Sequence, residues 1–183
     1  MKTVIVIQAR LGSSRLPCKT LLNLHGLPVI DWVVGRCARS ELADDLVVAL
    51  PDTRRDEVLA RHLRAQGVNI FRGSEQDVLS RMHGAAAAHG ADLVVRVCAD
   101  NPLIWGGEID NLIRFYQREH AAGNCDYAYN HIPRNNLYPD GLGAEILSRE
   151  LLDALDAQAR QTAQREHCLN YLWDNAARFR LGT

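Results

Sequence analysis

Four short apolar runs rich in β-branched residues, at 3–9, 45–50, 68–71 and 92–97, are each followed by a stretch with helical periodicity, and this repeated alternation constrains the fold more than any other feature. Strands separated by helices pair in parallel, so the pattern predicts an α/β chain with a mostly parallel sheet. Helices are expected at 28–40, where Val29, Ile30, Val33 and Val34 share one side, and at 53–66, 76–89 and 107–121. The segment 124–143, rich in Asn, Tyr, Pro and Gly, reads as a strand plus a long loop, a candidate arm or lid. Helical stretches follow at 148–159 and 161–176. No repeat, low-complexity run or linker divides the chain, so residues 1–183 are expected to form one domain.

The first strand ends in a loop that concentrates charge. Residues 7–19 carry Arg10, Arg15 and Lys19 together with Gly12, Ser13 and Ser14. In open α/β sheets, ligands bind at the carboxyl ends of strands, where free backbone N–H groups and cations together cradle phosphate oxygens. The chemistry suggested is nucleoside triphosphate binding. Cys18-Lys19-Thr20 looks like the tail of a Walker A loop, but the second glycine is missing and Gly12 stands at the wrong distance, which excludes that motif on spacing.

Two other strand ends reach the same edge. Asp100 follows the 92–97 strand, where one carboxylate suffices to position a divalent cation on a triphosphate; the competing role is a turn cap before Pro102. Arg72, Gly73 and Ser74 follow the 68–71 strand and can contact a base or ribose, or they can simply form a helix entry with Ser74 as cap and Asp77 in the first turn. Arg81 and His83 read as solvated or packed helix residues, and Trp32, Trp105 and Trp173 as helix-packing residues.

Composition narrows the partners. A formal net charge of −1, with cations clustered in one loop, lacks the basic excess of a nucleic-acid-binding protein. No apolar run approaches the roughly 20 residues of a membrane helix, and the chain opens on a strand rather than a signal peptide, so a soluble cytoplasmic protein with no membrane partner is expected. Its 5 cysteines show no Cys-x-x-Cys pair and read as reduced thiols.

The loop Ala9-Arg10-x-Gly12-Ser13-x-Arg15-Leu16-Pro17-x-Lys19 resembles the nucleotide-binding loop of cytidylyltransferases that activate sugars, especially the spore-coat polysaccharide and acylneuraminate enzymes. The likeness continues through 71–81, 95–104, 126–130 and 138–146, with Cys18 where relatives commonly carry glycine and Gly143 near where they often show an acidic residue. The resemblance implies a Rossmann-like three-layer αβα fold of the nucleotide-diphospho-sugar transferase type. It implies transfer of CMP from CTP to a sugar or sugar acid, for surface polysaccharide or glycoconjugate synthesis, with release of pyrophosphate and with Mg²⁺ as cofactor. On the matching positions, Arg10, Arg15, Lys19 and Asp100 are the catalytic set, with Asp100 on the metal. Ala9, Gly12, Ser13, Arg72, Gly73 and Ser74 join them around the nucleotide, and Asn130, Tyr138, Asp140 and Glu145 fall on the acceptor side. A homodimer formed through 124–143 is implied as well. Relatives continue beyond residue 183 into another strand and helix that usually supply a second metal-binding aspartate, so the alternatives are a shortened nucleotide-binding module without catalysis, or a UTP- or GTP-dependent enzyme on the same fold.

Overall fold

The computed structural model describes residues 1–13, 15–132 and 136–183. Its centre is β1 (Thr3–Gln8), with β4 (Asp45–Pro51) and β6 (Leu93–Cys98) parallel to it on either side. β5 (Asn69–Gly73) extends the parallel set beyond β4. Beyond β6 the direction reverses: β8 (Glu145–Ser148) runs antiparallel to β6, and β7 (Tyr127–Tyr129) antiparallel to β8. β9 (Leu181–Gly182) closes a seven-stranded sheet of order β5-β4-β1-β6-β8-β7-β9. The chain crosses from one side of β1 to the other between β5 and β6, and this switch point opens a crevice at the carboxyl ends of β1 and β6.

Burial on both faces explains the near-continuous apolar strands. From β1, Ile5 and Ile7 enter one core with α1 (Val29–Cys37), α2 (Glu57–Ala65) and α4 (Gly106–Ala121), while Val4 and Val6 enter the other with α3 (Val78–Ala88) and α5 (Arg149–Gln158). The result is the expected three-layer αβα arrangement. A small hairpin of β2 (Asn23–Leu24) and β3 (Leu27–Pro28), not visible in the periodicity, turns through His25 and Gly26 at φ 50° and 92°, the pair of positive values a tight two-residue hairpin turn demands.

Several expectations need correction. Helix α3 is capped by Asp77, whose carboxylate accepts from the Ser80 N–H at 2.9 Å, and not by Ser74, whose hydroxyl accepts from the Asp77 N–H at 3.0 Å. The helix expected over 161–176 is two short ones, α6 (Thr162–Glu166) and α7 (Asn170–Asp174), because His167 leaves the helix at φ −101°, ψ 75°. Within 124–143, residues 127–129 form the expected strand, buried within the sheet, and 133–135 lie outside the described residues. Of the two readings of Arg81, solvated or packed, the packed one holds, since its side chain is buried. Among the described residues no helix is long and apolar enough to cross a membrane.

Candidate functional site

The crevice is built by the loop leaving β1. Buried Asp56 anchors it: one carboxylate oxygen accepts from the Leu11 N–H at 2.8 Å and the other from the Thr53 hydroxyl at 2.5 Å. Gly12 passes so close to the Arg55 guanidinium, itself bridged to Glu75, that a Cβ there would collide with it. Ser13 closes a local turn by accepting from the Leu16 N–H at 3.3 Å, and Ser14 lies outside the described residues. The loop then turns at Cys18, which holds φ 56° and ψ 23°. That left-handed conformation is free of strain only for glycine, a physical reason for glycine at this position in similar loops.

This path delivers Ala9, Arg10, Arg15 and Lys19 to one wall of a cavity of about 290 Å³, with Ala99 and Asp100 on the opposite wall from the end of β6. Lys19 and Asp100, 81 positions apart in sequence, form an ion pair across it. The cavity therefore holds three cations from one loop and one carboxylate from the other, the charge pattern that suits a polyphosphate accompanied by a divalent cation. Among the described residues no group of three or more His, Cys, Asp or Glu is placed to hold a metal by itself. A hard cation that arrives bound to phosphates needs only one or two protein carboxylates, and half-exposed Asp100 supplies one.

A second cavity of about 490 Å³ adjoins the first. Its walls include Arg96, His131 and Glu145 from the sheet edge, and His167, Trp173 and Asp174 from the region of α6 and α7. Because β8 is antiparallel to β6, its first residue, Glu145, stands opposite Arg96 at this edge. Arg96 pairs with Glu145 through Nη1, donates to Gln8 Oε1 at 3.2 and 3.1 Å through Nε and Nη2, and approaches Cys98 Sγ at 3.4 Å. Tyr127 donates its hydroxyl to Glu145 at 2.5 Å, and His131 Nε2 lies 4.0 Å away. Burial alone would raise the Glu145 carboxyl, yet Arg96, His131 and the Tyr127 bond together hold it below the ordinary carboxylate range. Burial and the neighbouring Glu145 charge push Tyr127 well up, so its hydroxyl remains a donor. His131 is pushed down, first by burial, and favours the neutral ring.

Not every residue singled out in the sequence reaches these cavities. Arg72 is drawn to the far side of β4, where it meets Glu57 at 2.7 Å, the Thr53 carbonyl at 2.9 Å and Asp52 at 3.2 Å. Gly73 packs against Phe71 and the Arg81 stem, and the Ser74 carbonyl accepts from Arg81; neither lines the two cavities. Buried Asn130 serves the backbone, accepting from the Ala144 N–H at 2.8 Å and donating to the Glu108 carbonyl at 3.0 Å. Tyr138 and Asp140 stand outside both cavities, and Glu145 lines the second but is already committed to Arg96 and Tyr127. Conversely, Arg96, His131 and His167 carry no local sequence signal: Arg96 hides within Leu93–Cys98, and His167 within an apparently continuous helical run. Trp173 packs edge-on against Tyr127 and Tyr129, with ring centroids 5.7 and 5.2 Å apart, and also lines the second cavity.

Comparison with known proteins gives the family of the chain. The sequence model of a family described as Cytidylyltransferase matches residues 4–182. The chain is 32% identical over 183 residues to the spore coat polysaccharide biosynthesis protein SpsF of Bacillus subtilis, spanning 97% of this chain and 72% of that one. It is 34% identical over 119 residues to 3-deoxy-manno-octulosonate cytidylyltransferase of Bdellovibrio bacteriovorus, spanning 63% of this chain and 46% of that one. The solved structure of a cytidylyltransferase from Leptospira borgpetersenii superposes with a TM-score of 0.90 at 30% identity, covering 100% of this chain and 75% of that one.

Proposed function

The chain belongs to the cytidylyltransferase family, and on that premise we propose that its crevice transfers CMP from CTP to a hydroxyl of a sugar or sugar acid, with release of pyrophosphate, in polysaccharide or glycoconjugate synthesis. The observation that carries this reading is the convergence of Arg10, Arg15, Lys19 and Asp100 on one cavity at the switch point, next to a second polar cavity. Phosphoryl-type transfer asks a protein mainly for positioning and electrostatic stabilisation. Arg10, Arg15 and Lys19 hold the triphosphate and offset the charge that builds on the departing pyrophosphate. Asp100 would hold a divalent ion such as Mg²⁺, which when bound would supply charge neutralisation for the phosphate oxygens. Lys19 and Asp100 pair with each other across the cavity, and in the nucleotide complex Lys19 would turn to phosphate and Asp100 to the metal.

The acceptor occupies the second cavity, where His131, Asn170 and Asp174 offer directional polar contacts and Trp173 an apolar surface, a mixture suited to a sugar. Gly12 and Ser13 belong to the nucleotide side through the backbone of their loop, whereas Gly73 and Ser74 do not reach it, and pairing of two copies into a homodimer completes the proposal. Release of pyrophosphate from CTP and Mg²⁺, measured against a panel of sugar acids including 3-deoxy-manno-octulosonate and N-acetylneuraminate, tests the reading. It predicts release that depends on an acceptor and yields a CMP-sugar. CTP binding with no product from any acceptor would favour a binding module instead.

A further inference from the structure

We propose that His167 is the base that removes the proton from the acceptor hydroxyl, a role that rests on the cytidylyl-transfer reading above. Two residues line both cavities, Arg96 and His167. The reaction must occur where nucleotide phosphate and acceptor meet, which is the junction these two residues share. Arg96 cannot serve, because a guanidinium does not give up its proton near neutral pH and its donors are committed to Glu145, Gln8 and Cys98. His167 is exposed, and its imidazole has no hydrogen-bond partner within the protein among the described residues.

The backbone nevertheless fixes its place. The His167 N–H donates to the Ala163 carbonyl at 3.0 Å, its own carbonyl accepts from the Asn170 N–H at 2.6 Å, and the next two residues, Cys168 and Leu169, are buried. The imidazole is thus delivered to the junction by an anchored turn while both ring nitrogens stay available. The other titratable groups facing the junction are engaged. Asp100 is paired with Lys19, Glu145 with Arg96, and Asp174 accepts from Gln164 at 3.0 Å. His131 is a half-buried neighbour of Glu145 that lines the second cavity alone, and Arg10 and Arg15 are permanent cations on the first.

In the step itself, the hydroxyl proton moves to the neutral imidazole as the acceptor oxygen forms its bond to the α-phosphorus. The bond from that phosphorus to the bridging oxygen breaks, and its electron pair leaves with pyrophosphate. The imidazolium then returns the proton to solvent. Imidazole is suited to this because it is the side chain that most often serves as a general base.

The test is kcat and KM for pyrophosphate release from CTP, Mg²⁺ and the sugar-acid panel, followed from pH 5.5 to about 9 for the wild type, His167→Gln and His167→Ala. Removing a general base predicts a fall in kcat of about 100-fold or more, with KM for CTP little changed, loss of the acid limb of the kcat profile, and partial recovery of His167→Ala by added imidazole. Retention of kcat within about threefold, or survival of the wild-type acid limb in His167→Gln, would overturn the proposal. If the wild type releases no pyrophosphate with any acceptor, the transfer reading fails and the role of His167 with it. An active wild type beside an unaltered variant defeats the role of His167 alone.

Discussion

Replacing Glu145 by glutamine removes one charge from a buried pair while preserving size and one acceptor for the Tyr127 hydroxyl. Glu145 is 3% exposed and Arg96 retains only a narrow opening onto the cavities, so the cation is left with Gln8 Oε1 and Cys98 Sγ as its partners. Breaking a fully buried ion pair from one side costs about 3–5 kcal/mol. The surviving bonds to Gln8 and the opening of Arg96 to solvent bring the expected loss to about 2–3 kcal/mol. At about 2–4 °C per kcal/mol for a chain of this size, Tm should fall by roughly 4–12 °C in scanning calorimetry near pH 7. The pH dependence has a fixed sign. Because the folded carboxyl titrates below its ordinary value, the pair stabilises fully above about pH 4.3 and its contribution is lost as pH falls through the folded value, so the gap between wild type and variant narrows in acid. A Tm within about 2 °C of wild type at pH 7 would refute the reasoning, since it would mean that Arg96 does not depend on Glu145.

Asp100→Asn should abolish the Mg²⁺-dependent part of CTP affinity while leaving Tm without ligand nearly unchanged, because its ion pair with Lys19 is partly exposed and such pairs contribute about 1 kcal/mol or less. A turn cap would behave in the opposite way, keeping metal dependence and losing stability. Lys19→Ala should weaken CTP binding far more than cytidine binding in calorimetric titrations, and equal losses would place Lys19 away from the phosphates. Cys18→Gly should leave stability within about 0.5 kcal/mol of wild type, since relief of the left-handed conformation offsets glycine's greater chain entropy, whereas β-branched Cys18→Val should cost about 1–2 kcal/mol. Denaturant midpoints for the two variants check this, and a Cys18→Val as stable as wild type would contradict it.

The readable parts of the fold were those whose signals are local. The parallel strands are β-branched on both faces because both faces are buried, and the basic loop follows the first of them without interruption. Asp100 could be placed at the same sheet edge as the basic loop because parallel strands bring their carboxyl ends together; its pairing with Lys19 came only from the structure. The antiparallel strand Glu145–Ser148 carries no local signal because it is only 4 residues long and opens on a charged side chain, which is tolerated there by partners distant in sequence, Arg96 49 positions away and the Tyr127 hydroxyl. Arg72 stands at the end of β5, but one acceptor from α2 and two from the turn between β4 and α2 draw it off the site. The break at His167 had no proline or glycine to mark it. The buried Cys168, Leu169 and Leu172 continue an apolar pattern that reads as one helix, so the residue at the junction of the two cavities emerged only from tertiary packing.

Calorimetric titration of the wild type with CTP, UTP, GTP and ATP in Mg²⁺ addresses the central claim most directly, because it asks whether the crevice at the ends of β1 and β6 selects a cytidine triphosphate. CTP should bind most tightly, and its affinity should fall on removal of Mg²⁺. Equal or tighter binding of ATP, GTP or UTP would contradict the assignment.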